Sequence, residues 1–223
     1  MARELSPGLV LRAVARVVYA DLVTVVVTSV AFVVASLPIV TIGAAVLALV
    51  DTWTDVITHR DTGAPPSERG RLGLFATSYR RHLRTGLPYS LLFVAVVGLT
   101  AVYASFGLAQ ESGPFVVAAI VGVYLVVVVT VWSLRAATFQ TREEPPITTR
   151  MAFERAGLTL LDRPAFAVIL STIVGVVLVG GAALRVTFPL LVPGILAVVE
   201  VVAFEEHVGD GAATVRATYR RES

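Results

Sequence analysis

Three long segments without a charged side chain constrain this sequence more than any motif does. They cover residues 85–110, 112–134 and 164–184. A helix needs about 20 apolar residues to cross a hydrocarbon core of about 30 Å, so each segment is long enough for one crossing. The chain as a whole is also apolar, with 56% hydrophobic and 15% charged residues among 223 and a mean hydropathy of +0.82. A soluble domain would expose more polar surface, and the sequence therefore predicts an integral membrane protein.

Two further apolar regions are less regular. In the region 186–204, Glu200 interrupts the apolar run and two prolines, Pro189 and Pro193, lie near its start, so we expect one bent helix. The charge-free run 22–50 is longer than one crossing needs and shorter than two crossings usually take, and Pro38 lies near its middle. Its length alone does not decide between one crossing and two.

The distribution of arginine favours two crossings in that region. All 18 basic residues are arginine, and 17 of them fall before residue 22, in 58–84, in 135–163 or in the tail after 204. Arg185 is the one arginine in a connector that we expect outside. Because Lys and Arg tend to remain on the cytoplasmic side, the segments flanking 22–57 should both lie inside. The region is therefore predicted to be a hairpin with Pro38 at its outer tip.

These observations together predict an all-α fold with about six transmembrane helices. The chain would be one integral membrane domain over 1–223, with hairpins at approximately 20–57, 87–134 and 164–204. We expect a multi-pass protein of the plasma membrane with both termini in the cytoplasm. The lipid bilayer is the predicted partner, and nucleic acid is not, because the arginines are dispersed over many short segments rather than gathered on one basic face.

An amphipathic segment is predicted before each hairpin, on the cytoplasmic side. The clearest is the second, where Leu72, Phe75, Tyr79 and Leu83 recur at helical spacing and arginines occupy the other face. Similar stripes are present in 6–18 and, less regularly, in 147–161. The recurrence fits either a threefold duplication or a chance repetition of apolar periodicity.

Several stretches resemble the YesL-like family, an uncharacterised family of integral membrane proteins with a domain of unknown function. The resemblance rests on 37–45 (LPIVTIGAA), on Phe75 with the segment Tyr79-Arg80-Arg81 before a span, and on Arg163-Pro164 opening the fifth span. It implies six helices over almost the whole chain and an association, in some bacteria, with carbohydrate uptake and utilisation genes. It implies no catalytic residue and no mechanism.

The sequence does not indicate an enzyme, a metal site or a cofactor. Without cysteine there is no thiolate ligand or thiol nucleophile, and without lysine there is no phosphate-binding loop of the Walker type. The three histidines, His59, His82 and His207, lack the four-residue spacing of a helical zinc site. Solvated histidines near the membrane surface are the better interpretation.

The remaining polar signal is a set of carboxylates predicted near the cytoplasmic interface, where an unpaired charge would be costly. One interpretation is a cation or substrate site, or a proton relay. The other is a set of ion pairs that fasten the amphipathic segments to the bundle, and it is favoured because a transporter site is expected near the midplane. The candidate residues are four carboxylates, Asp21, Asp51, Asp55 and Glu200, and four arginines, Arg80, Arg84, Arg135 and Arg155.

Three classes of function remain open on these observations. The first, which we favour, is a non-enzymatic accessory or regulatory membrane protein, with a transporter complex for carbohydrate or another solute as its partner. The second is a small-solute transporter or channel in its own right, which would need a wet cavity near the midplane. The third is a membrane enzyme acting on lipid, which would need a convergent polar cluster. The sequence does not define the oligomeric state.

Overall fold

The computed structural model confirms the all-α prediction. It describes residues 7–58, 67–143, 147–185, 187–208 and 211–221, and within these ranges the chain forms helices and no strand. A short 3-10 turn, Ile39–Thr41, precedes α3. The helices are α1 (Pro7–Ala20), α2 (Leu22–Ser36), α3 (Ile42–Thr58), α4 (Glu68–His82), α5 (Leu87–Gln110), α6 (Gly113–Arg142), α7 (Thr149–Asp162), α8 (Pro164–Ala183), α9 (Thr187–His207) and α10 (Ala212–Arg221).

The helices form three successive units, as the sequence predicts. In each unit a shorter helix (α1, α4 or α7) comes before a pair of apolar helices (α2–α3, α5–α6 or α8–α9). Side-chain caps start two of the short helices: the Ser67 hydroxyl accepts from the backbone N–H of Gly70, and the Thr148 hydroxyl accepts from that of Met151. Ser6, the first residue of the predicted segment 6–18, lies outside the described residues.

Five to six of the described helical segments could cross a membrane. Five are long and apolar enough by themselves: Ile39–Thr58, Leu87–Gln110, Gly113–Arg142, Pro164–Ala183 and Phe188–His207. The helices α1 and α2 would together make a sixth, but the chain bends by 87° between them. α2 alone has 15 residues, which gives it a length of about 22 Å.

Burial separates the apolar helices into an inner and an outer group. Most side chains of α3 and of the second half of α9 are buried, and Leu47, Trp53 and Val198 are fully so. α5, α8 and the first half of α6 instead expose large apolar side chains such as Leu99 and Val176. Continuous apolar surfaces of this extent are typical of contact with lipid. α3 and α9 thus form the centre of the bundle.

The helices α2, α3 and α4 pack against one another as a three-helix layer. α4 runs parallel to α2, because the Thr24 hydroxyl donates to Glu68 at one end and the Tyr79 hydroxyl donates to the Ala35 carbonyl oxygen at the other. The apolar stripe of α4 therefore packs along α2, and Phe75 is buried there. Leu72 and Leu83 of the same stripe stay exposed.

The tip of the α2–α3 hairpin lies against the start of α5. The Ser90 hydroxyl donates to the carbonyl oxygen of Val40 at 2.7 Å, and it accepts from the backbone N–H of Gly43 at 2.8 Å. Val40 is two residues after Pro38, and Ser90 is six residues after Arg84. A hydrocarbon core of about 30 Å cannot separate segments that are in contact. The contact therefore favours Pro38 and Arg84 on the same side of a membrane, against the prediction that Pro38 forms an outer tip.

Candidate charge clusters

Asp21 is the centre of a buried cluster that joins three parts of the chain. It lies in the bend between α1 and α2, where its Oδ1 is 3.2 Å from Nη1 of Arg71. Its Oδ2 accepts a hydrogen bond of 2.9 Å from the Tyr219 hydroxyl. Arg71 also contacts Thr24 and the carboxylate of Glu68. The cluster therefore connects the α1–α2 bend to α4 and to the C-terminal helix α10.

Asp51 connects α3 to α4. Its Oδ2 accepts a hydrogen bond of 2.6 Å from the Ser78 hydroxyl, and it forms an ion pair with Arg81. The arginines that the sequence analysis named as candidate partners of the four carboxylates did not include Arg81, which is the residue that faces Asp51. Asp55 borders the same small cavity of about 100 Å³ between the two helices.

His82 lies at the end of α4 next to this pair. Its Nδ1 is 3.2 Å from the Thr85 hydroxyl, while its Nε2 is buried without a hydrogen-bond partner among the described residues. Burial, reinforced by the positive charge of Arg81, lowers the pKa of His82, and Asp51 opposes the shift. The neutral imidazole is thus the form that the fold favours.

Glu200 and Arg135 form an ion pair between α9 and α6. The Nε of Arg135 and the Oε1 of Glu200 are 2.8 Å apart, and each side chain is 2% exposed. The two atoms are not aligned for a hydrogen bond, so the contact is mainly ionic. The guanidinium also lies over the ring of Phe204 at 5.4 Å. We call this arrangement the α6–α9 ion pair.

A second ionic contact continues this interface toward the ends of both helices. Arg142 pairs with Glu205, and its guanidinium carbon is 5.0 Å from the centre of the Phe204 ring. Glu206 accepts a hydrogen bond of 2.8 Å from the backbone N–H of Ala212, which is the first residue of α10. Our sequence prediction did not include these glutamates, because they follow the apolar run of α9. Both lie close to Glu200 in the same predicted helix, and this proximity could have marked them as candidates.

Neutral polar groups link α5, α6 and α7. The Tyr89 hydroxyl donates to Gln140 at 2.8 Å, and the Gln140 amide donates to the Thr149 hydroxyl at 3.2 Å. The indole N–H of Trp132 donates to the carbonyl oxygen of Phe153 at 2.9 Å. Trp132 therefore fixes α7 against α6. Arg155, a predicted partner of the interior carboxylates, contacts Glu143 instead.

The sequence-predicted carboxylates thus lie in separate places. Asp21, Asp51 and Glu200 each have a different arginine partner. Asp55 shares a cavity with Asp51 and not with the other two. Within the described residues no three His, Cys, Asp or Glu side chains are arranged to hold a metal ion. His59 lies outside those residues.

A large apolar groove lies between α6, α7 and α8. Its volume is about 960 Å³, and Val127, Leu160 and Val176 are among its lining residues. Few polar groups reach it, the hydroxyls of Ser171 and Thr172 being the ones on α8. An apolar groove between membrane helices is suited to acyl chains or to another helix rather than to a hydrated solute.

Comparisons with protein-family models, with curated proteins and with solved structures find no match to this chain. The resemblance to the YesL-like family therefore stays a prediction from the residues quoted above.

Proposed function

We propose that this chain is a non-enzymatic accessory or regulatory component of the plasma membrane that acts beside a solute transporter. The observation that carries the proposal is the separate pairing of the buried carboxylates. Asp21 and Glu200 each contact an arginine that is itself buried. Carboxylates neutralised in this way hold helices together, and they leave no free charge with which to bind a transported ion.

The arrangement of the helices supports the same proposal. A secondary transporter usually binds its substrate at broken helices near the midplane, where backbone groups line a wet cavity. The groove between α6, α7 and α8 is apolar, and the polar cavity next to Asp51 measures only about 100 Å³. The contact between Tyr219 and Asp21 brings the C-terminal helix to the α1–α2 bend. This supports a topology with both termini on one side, which we propose to be the cytoplasm.

The class of solute comes from the family resemblance alone. The segment 37–45 and the pair Arg163-Pro164 resemble a family that some bacteria encode near carbohydrate uptake genes. We therefore propose carbohydrate uptake as the first context to test, with uptake of other solutes as the alternative.

The test is capture of the chain from its native membrane after cross-linking, followed by identification of the captured proteins and by reconstitution. We expect a membrane transport component to be captured in a constant ratio to the chain. In liposomes, the purified chain should not take up sugars or release trapped ions. Solute or ion flux through the purified chain would overturn the proposal.

Transport by the chain itself is the second candidate, and one observation favours it. The Ser133 hydroxyl is buried without a hydrogen-bond partner among the described residues, and the Nε of Arg135 and the Oε1 of Glu200 are 2.8 Å apart without the alignment of a hydrogen bond. Unsatisfied polar atoms in a bundle centre are costly and often mark a functional path. Strong stabilisation of the purified protein by sodium, potassium or calcium, lost in Glu200→Gln, would place this candidate first.

A further inference from the structure

We propose that the groove between α2 and α4 binds an anionic phospholipid, with an acyl chain along the groove and the headgroup phosphate at Arg80. The groove has a volume of about 610 Å³. Its walls are apolar, with Val30 and Val34 on α2 and Leu72 and Ala76 on α4, and Arg80 lines one end. The apolar walls match the acyl chain of a phospholipid, and the positive charge of Arg80 at one end is complementary to a negative headgroup.

The guanidinium of Arg80 is available for such a headgroup. Its neighbour Arg81 is engaged with Asp51, but among the residues that the structure describes Arg80 forms no ion pair, and its side chain is exposed. Arg84 follows one helical turn later and is exposed too. Basic residues at the end of a membrane helix attract anionic headgroups, and an arginine can donate two hydrogen bonds to one phosphate.

The other polar group at this end is already occupied. The Tyr79 hydroxyl donates to the Ala35 carbonyl oxygen at 3.2 Å. It therefore joins α4 to α2 and is not available to a ligand. The apolar walls remain open, since Val34 is 59% exposed. A ligand would therefore contact hydrocarbon over the length of the groove and charge only at Arg80.

The size of the groove favours an acyl chain over a helix of another protein. The lining residues of α2 extend from Val26 to Ala35, which is about 13 Å at the rise of a helix. A helix is about 10–12 Å wide, and over that length it would occupy at least about 1,000 Å³. The groove offers about 610 Å³. A flexible chain fits this space, whereas a helix would contact its rim only.

The experiment is a titration of the detergent-purified full chain with dioleoylphosphatidylglycerol and, in parallel, with dioleoylphosphatidylcholine. Bound lipid is counted by native mass spectrometry. We expect the anionic lipid to bind more tightly than the zwitterionic one. Arg80→Gln should weaken binding of the anionic lipid about fivefold, the factor that corresponds to ~1 kcal/mol for one basic residue near a membrane surface.

Matched variants distinguish the groove from general electrostatic attraction. Arg69→Gln removes the same charge from an exposed position on the same helix that does not line the groove, and it should bind lipid as the wild type does. Ala76→Phe keeps every charge and fills the groove, and it should lose binding of both lipids. Glycerol 1-phosphate, the headgroup without its chains, should not compete.

Three results would overturn the proposal. The first is equal binding of the two lipids by the wild type. The second is an equal loss of binding in Arg69→Gln and Arg80→Gln, which would indicate a diffuse basic surface. The third is full competition by glycerol 1-phosphate, which would indicate a phosphate site without a role for the groove.

Discussion

Gly43 and Gly86 are in direct backbone contact, so that neither position has room for a side chain. A Cβ on Gly43 would lie 2.0 Å from the carbonyl oxygen of Gly86, and a Cβ on Gly86 would lie 2.3 Å from the backbone nitrogen of Ala44. This contact brings the start of α3 against the start of α5. It is also the reason why the Ser90 hydroxyl can reach both Val40 and Gly43.

The first prediction is that Gly43→Ala destabilises the fold. The added methyl group would have to displace backbone atoms, and overpacking of this kind typically costs about 1–3 kcal/mol. Gly98→Ala in α5 is the matched control, because no heavy atom lies within 4 Å of its Cβ position and alanine is the better helix former. Unfolding in mixed detergent micelles measures both. Equal stability of the two variants would contradict the close contact.

The second prediction concerns the side of the membrane on which Pro38 lies. Because the chain has no native cysteine, single cysteines can be labelled in intact cells with an impermeant thiol reagent. Pro38→Cys and Arg84→Cys should give the same result, since both lie near the Val40–Ser90 contact. Ser112→Cys, beyond the 24 residues of α5, should give the opposite one. Labelling of both Pro38→Cys and Ser112→Cys but not of Arg84→Cys would restore the predicted outer tip.

The class of fold could be predicted from the sequence, because hydropathy and length act locally. Charge-free runs of more than 20 residues have to be helices when they lie in lipid, since every backbone polar group must be satisfied within the segment. The three charge-free runs accordingly became α5, the first part of α6, and α8. The short helices before each pair were also predicted, from apolar periodicity.

The position of the α2–α3 hairpin could not be predicted, because it depends on what packs against it. Hydropathy cannot distinguish an apolar stripe that faces lipid from one that faces another helix. In the stripe of α4, Phe75 is buried on the side of α2, whereas Leu72 stays exposed. The partner of Asp51 was missed for a related reason: Arg80, Arg81 and Arg84 are near in sequence, but only the orientation of α4 decides which of them faces α3.

The third prediction concerns Asp51. Asp51→Asn should lower the free energy of unfolding by about 1–3 kcal/mol, because it weakens the hydrogen bond from Ser78 and removes the ion pair with Arg81. Arg81→Gln should cost less than about 1 kcal/mol, since this arginine is largely exposed. Arg84→Gln is the control and should be neutral, because Arg84 forms no ion pair within the part of the chain that the structure describes.

The wild type and Asp51→Asn also distinguish an ion pair with Arg81 from a site for a bound metal cation at Asp51. Stability of the wild type and of Asp51→Asn should respond equally to added sodium, potassium or calcium. If one of these cations stabilised the wild type strongly and Asp51→Asn abolished that effect, the pocket next to Asp55 would be an ion site.

The fourth prediction is a loss of stability at mildly acidic pH that depends on His82. Its pKa in the folded protein is below the ordinary value of about 6.5, so the unfolded chain binds the proton more tightly. The stability that depends on neutral His82 is fully present above pH 6.5. It is lost as the pH falls from there through the lower pKa of His82 in the folded protein. Thermal unfolding between pH 7.5 and 5.5 should show a steeper loss for the wild type than for His82→Gln. Identical pH profiles would exclude this role.

The last prediction concerns the α6–α9 ion pair, whose two members are equally buried. Removing one partner leaves the other charge buried and uncompensated, which typically costs about 3–5 kcal/mol. Glu200→Gln and Arg135→Met should therefore each destabilise the protein strongly. Replacing both by apolar residues removes the unpaired charge, so Arg135→Met combined with Glu200→Leu should be more stable than either single variant.

Equilibrium unfolding of the wild type, the two single variants and the double variant in mixed micelles gives the coupling energy between Arg135 and Glu200. A large favourable coupling supports a pair that holds α6 against α9 and that serves structure alone. A functional site would behave differently, because a substitution of Glu200 would then change activity more than it changes the stability of the fold. If Glu200→Gln were as stable as the wild type but abolished a solute flux measured in liposomes, Glu200 would belong to a transport path and the accessory role would be wrong.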